Sequence, residues 1–162
     1  MAIRYLKIVL VVFVALLCVM YAAQNVVNLD EAYTFVVSAV GMQDNVAYPS
    51  AFGPAIRDPV LAWAALAVII LAECAAGLLA AKGAWDLWAA RNASAATFNA
   101  AKTYAVLGCG GALVVWFGLF TVVGGAYFQM WQTALGGASL AGAFQFVAQT
   151  GIVLLFVNMT DG

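Results

Sequence analysis

Residues 103–160 read TYAVLGCGGALVVWFGLFTVVGGAYFQMWQTALGGASLAGAFQFVAQTGIVLLFVNMT, and no side chain in the stretch is charged. A helix crossing a hydrocarbon core of roughly 30 Å needs about 20 residues, so this run holds two crossings rather than one. The break between them falls at Gln129, Gln132, Thr133, Gly136, Gly137 and Ser139, a short glycine-rich turn. Tyr127 and Trp131 flank it, and such aromatics settle at a membrane surface. A helical hairpin follows, with spans at about 103–127 and 140–157.

Two more apolar blocks lie upstream. One, at about 59–81, opens on Pro59, a good first-turn residue, and closes before Lys82. The other, at about 8–24, follows Arg4 and Lys7. A charged start before an apolar run resembles a secretory signal. This run is long for one, no A-x-A pair follows it, and Leu17 before Cys18 spoils a lipoprotein signature. The block is therefore an uncleaved first span. Of the 162 residues 67% are hydrophobic and 8% charged, with a mean hydropathy of +1.03. A soluble domain carries about 25% charge. The predicted fold is all-α: a four-helix transmembrane bundle forming one polytopic membrane domain over 1–162.

The intervening segments are polar. Segment 25–58 holds Asp30, Glu31, Asp44, Pro49, Pro54, Arg57 and Asp58. Within it Asn28 offers an N-cap and Asp30 and Glu31 an acidic first turn. Leu29, Ala32, Tyr33, Val36, Val37 and Val40 then recur at helical spacing, up to Gly41. That predicts a short interfacial helix between spans one and two, followed by an extended loop through Tyr48-Pro-Ser-Ala-Phe-Gly-Pro. The loop at 82–102 predicts a helical extension, a polar turn at Asn92-Ala-Ser and a helix restart near Thr97. Arg4, Lys7, Lys82, Arg91 and Lys102 lie on one side of the membrane and only Arg57 on the other. Basic residues stay inside, so both termini, and loop 82–102, are expected in the cytoplasm and segment 25–58 in the periplasm.

Composition excludes several functions. Histidine is absent, which removes the usual general base and the commonest zinc and haem ligand. Cys18, Cys74 and Cys109 are odd in number, form no CxxC and fall in apolar blocks. No basic cluster suits nucleic acid. A nucleophile triad, a phosphate loop and a carboxylate dyad are all missing. No metal, no cofactor and no enzymatic activity are expected.

What remains is one acid inside a span. Glu73 sits roughly 13 Å from the Lys82 end of its helix. There an ionisable group costs at least ~2.5 kcal/mol unless it faces protein or water. Matching depths brings Gln149 of the fourth span to the same level, with Gln145 extending a polar stripe one turn further out. Gly110 and Gly111 would let the third span approach closely, and Gly77 serves packing on the second. Cys74 points about 100° away from Glu73, which argues against a shared metal. At the outer surface Gln129, Trp131 and Gln132 form either an aromatic anchor or a docking surface shared with segment 25–58.

Several polar-aromatic motifs occur in order along the chain. Arg-Tyr-Leu-Lys at 4–7 precedes Gln24-Asn25 and Asn28-Leu-Asp; then come Tyr48-Pro, Phe52-Gly-Pro, Glu73 with Gly77, and Ala81-Lys-Gly-Ala-Trp-Asp-Leu-Trp. Val114-Val-Trp-Phe-Gly-Leu-Phe, Gly124-Gly and Phe128-Gln-Met-Trp-Gln complete the set. Over nearly its full length the chain resembles an uncharacterised bacterial family of predicted small integral membrane proteins, a domain of unknown function. The resemblance implies a bacterial inner-membrane protein of four spans and supplies no activity. Two functions are expected from the residues. One is a non-enzymatic accessory or assembly subunit packing against larger membrane proteins, its partners being the bilayer, other subunits or a homo-oligomer. The other is a small transporter or channel-like carrier that uses Glu73.

Overall fold

The computed structural model describes residues 1–48 and 50–162; Pro49, placed by sequence in the extended loop, lies outside the described residues. Helices α1 (Ala2–Val27), α2 (Leu29–Gly41), α3 (Pro59–Ala89), α4 (Ala95–Ala100), α5 (Thr103–Leu113) and α6 (Ala134–Asn158) account for most of it. A π-helical segment, Val114–Tyr127, continues α5, and a single 3-10 turn, Met130–Gln132, leads into α6. Among the described residues four helices are long and apolar enough to cross a membrane: Ala2–Val27, Pro59–Ala89, Ala95–Tyr127 and Ala134–Asn158. The fold is all-α.

Each crossing outruns the apolar block that announces it, because the polar residues at its ends find partners inside the protein. Helix α1 starts before Arg4 and Lys7 and ends beyond Asn25. Helix α3 carries on past Lys82, whose ammonium meets Asp86 one turn along at 2.8 Å. It begins where Asp58 Oδ1 accepts from the amides of Val60 and Leu61. Helix α4 restarts at Ala95 under Ser94, whose hydroxyl accepts from Thr97 N. The expected turn over 129–139 is shorter than its glycines suggested. Thr133 caps α6 through Gly136 N, so Gly136, Gly137 and Ser139 are helical. Helix α2 follows α1 after a single kink at Asn28. The expected side-chain cap there is not made, because Asn28 Nδ2 turns back to Gln24 O at 2.9 Å. Helix α2 stops at Met42, which adopts the left-handed conformation that closes many helices (φ 50°).

The core lies along α3, which packs on α1 at one side and α5 at the other. Small residues set the spacing. A Cβ on Gly77 would come 2.7 Å from Val19 Cγ2 of α1. A Cβ on Gly83 would collide with the Ala105 backbone of α5, and one on Gly108 with the Ala80 backbone of α3. Backbones this close gain dispersion contact that lipid cannot match, which is how helices associate where no hydrophobic drive exists. Beyond α5, the aromatic trio Tyr21, Trp116 and Phe146 joins α1, the π segment and α6, with edge-to-face centroid distances of 4.9–6.0 Å.

Candidate functional site

Glu73 is 1% exposed. Its carboxyl Oε2 accepts from Asn25 Nδ2 at 3.0 Å. The last turn of α1 makes this possible. Had α1 ended at residue 24, Asn25 would have left the helix before reaching the carboxyl. A buried carboxyl without a donor costs several kcal/mol in an apolar surround, and the amide supplies the donor.

Gln149 and Gln145 do not share this site, contrary to the matched-depth expectation. Both are exposed on α6. Depth was readable, rotation was not: α6 is apolar on every side and gives no inner stripe from which to set its azimuth. Of the expected packing glycines, Gly77 meets α1 and Gly111 meets Ala76 of α3, where a Cβ would lie 3.1 Å from the Ala76 Cβ. Gly110 faces open space: among the described residues a Cβ there would meet nothing within 4 Å. The closest approaches between α3 and α5 belong to Gly83 and Gly108. Their offset along facing helices was available in the sequence only once α3 and α5 were known to be neighbours.

The end that carries both termini holds a second polar site, which sequence reasoning missed. Asp161 Oδ2 lies 2.6 Å from Lys7 Nζ and 2.5 Å from Lys102 Nζ, and all three side chains are buried. Both ammoniums also donate to Met159 O at 2.7 Å. Asn99 completes the ring: its Oδ1 accepts from Lys102 Nζ and Asp161 N, and its Nδ2 donates to Asp161 O. Burial alone would push the Asp161 carboxyl up. Hydrogen bonds from Lys102 and Lys7 outweigh burial and hold it below the usual carboxylate range. Beside this ring, Arg4 donates to Arg91 O and Ala93 O and lies 4.6 Å from the centre of the Phe98 ring. The legible signal was that Asp161 is the one acid after Asp86, on the side that holds five of the six basic residues.

At the opposite end Gln129 and Gln132 form a clip, with Trp131 exposed beside them. Gln132 Oε1 accepts from the amides of Ala47 and Tyr48 at 2.7 and 2.9 Å. Its Nε2 donates to Gln129 Oε1, and Asn45 Nδ2 donates to Phe128 O. Trp131 stands edge-to-face with Tyr48 at 5.2 Å. Gln129 takes a left-handed φ of 55° to make the turn. This cluster therefore holds the loop after α2 against the hairpin. Between α2, α3 and the π segment lies an apolar cavity of about 240 Å³, walled by Val36, Val40, Ile69, Phe120 and Val123 among others.

Glu73 is matched by an amide, Asp161 by two ammoniums, Gln132 by backbone amides and Gln129 by the Gln132 side chain. Gln145 and Gln149 are left facing out of the bundle. No curated protein and no solved structure matches the chain. A family model does match, over residues 3–160, and the chain belongs to the family it describes, predicted small integral membrane protein (DUF2165).

Proposed function

We propose that the protein is a non-enzymatic packing component of the bacterial inner membrane, an accessory or assembly subunit that docks on other membrane proteins. Both termini lie in the cytoplasm in this reading. The five-to-one division of Lys and Arg supports that orientation, and the Lys7–Asp161 pair brings the two ends to one side.

The observation that carries the proposal is the Glu73–Asn25 pair. A carrier needs its ionisable group to meet water in at least one state; a packing subunit needs it only dry and bonded. Glu73 is buried and bonded within its own chain. The second support is coverage. In each crossing only 22–39% of the most apolar window is buried inside the protein, so most of the helical surface is left for lipid or for neighbours.

Glu73→Gln separates the two readings. The glutamine keeps an oxygen for Asn25 and loses the titratable proton. A packing subunit retains its protein level and its membrane partners, and proteoliposome flux of protons or solutes is the same with and without the substitution. A carrier loses that flux while its level holds.

A further inference from the structure

Helix α6 presents one face to the outside along its length. Ala138, Ala141, Gln145, Ala148, Gln149 and Ile152 fall within an arc of about 100° at 100° per residue, and all six are exposed. Gly142 sits at the margin of the same arc. A Cβ there would meet nothing within 4 Å, so the chain's own packing does not require a glycine. Helix α6 is also the least covered crossing, with 22% of its window buried against 39% for α1.

Gln145 and Gln149 lie either side of the helix midpoint, deep in the hydrocarbon. Among the described residues neither side chain enters a hydrogen bond. Amides at that depth gain by finding donors and acceptors on another helix, and small residues beside them let that helix come close. The identity of the partner follows from the amide itself. A carboxamide both donates and accepts, so it complements a copy of itself. A two-fold axis along the membrane normal sets each residue opposite its own copy at equal depth. A second copy of this chain therefore supplies both partners at both levels. An unrelated helix would need polar residues at the same two depths.

We infer that the protein is a parallel homodimer through α6, with Ala138, Ala141 and Gly142 allowing close approach and Gln145 and Gln149 hydrogen-bonding to their counterparts. The inference deepens the packing reading by assigning one docking face to a second copy, and it rests on that reading.

The test is self-association of the full chain in mild detergent and in lipid nanodiscs, followed by light scattering and by subunit exchange between differently labelled copies. The wild type is expected to be a dimer. Q145L/Q149L should weaken dimerisation about tenfold or more, and Gly142→Ile should weaken it as well. Gly151→Leu is the control. It lies on α6 well off the stripe, its Cβ also meets nothing within 4 Å, and the dimer should be unchanged. Cysteine at Ala141 or Ala148 should cross-link to its own copy. A wild type that stays monomeric at every concentration overturns the inference, as does a dimer indifferent to Q145L/Q149L and Gly142→Ile. A monomer that co-purifies with a larger membrane protein through this face overturns the second copy and leaves the packing reading standing. A dimer that conducts solute through Glu73 keeps the interface and overturns the packing reading.

Discussion

On α3 the small residues Ala76, Gly77, Ala80 and Gly83 point inward. Gly77 takes α1, and Gly83, Ala80 and Ala76 take α5 backbone to backbone. On α6 a similar supply of small residues, Ala138, Ala141, Gly142 and Ala148, points outward. The polar residues follow the same division, with Glu73 of α3 enclosed and Gln145 and Gln149 of α6 exposed. Both helices are alanine- and glycine-rich and apolar all round. The difference between them therefore lies in which neighbours the fold brings, not in what each sequence prefers. Helix α3 is the centre of this chain, and α6 is an edge of it.

The sharpest way to break that contrast is to enlarge a glycine on each helix. Gly83→Leu on α3, or Gly108→Leu on the α5 face that meets it, puts a side chain into the facing backbone and should cost more than about 4 kcal/mol, seen as loss of folded protein in detergent. Gly142→Leu should shift the unfolding of the monomer by no more than about 0.5 kcal/mol. Equal sensitivity of the two helices would end the inside–outside distinction.

A step down in size is the ionic ring that fastens the end of α6 to α1 and to Lys102. Asp161→Asn leaves two buried ammoniums without their shared carboxylate. The cost should be about 3 kcal/mol, at the lower end for a buried pair because the ring sits at a helix end near water. The pH dependence has a definite sign. A carboxyl held low in the folded state stabilises above its unfolded pKa, and that contribution fades as pH falls through the folded one. Thermal stability of the wild type should therefore fall on acidification through and below the ordinary carboxylate range, and Asp161→Asn should remove that part of the slope.

The smallest effect should come from the outer clip. Gln132→Ala frees the amides of Ala47 and Tyr48 at about 1 kcal/mol, read as faster hydrogen exchange at those two positions with the crossings unaffected.

These partners divide by how far the sequence could reach them. The crossings were legible because an uncharged run such as 103–160 has nowhere to go but lipid. The short helix at Leu29–Gly41 was legible from its acidic first turn and apolar spacing. Rotation was not legible. In a soluble helix the polar side marks the outside; in a membrane helix two amides can face inward or outward, so depth alone does not place Gln149. Asn25 is not legible as a partner because the apolar block ends just before it, while the helix runs on to Val27. Asp161 is not legible as a buried partner because it follows the last crossing, where an acid usually meets only water. Its two lysines are 154 and 59 residues away in sequence (161 less 7, and 161 less 102), and only the closed bundle brings them together.

The central claim is that the carboxyl of Glu73 is completed inside the chain by Asn25 and serves packing. A double-mutant cycle on these two residues, with unfolding followed in detergent, tests it most directly. Asn25→Leu leaves a buried carboxyl without its donor, and Glu73→Leu leaves an amide without its acceptor; each should cost about 1–3 kcal/mol. The double replacement N25L/E73L removes both polar groups and should recover most of that loss, with membrane insertion and protein level close to wild type. Additive losses, or a stable Asn25→Leu protein beside an Glu73→Leu protein that folds but no longer conducts, would contradict the claim and assign Glu73 to transport.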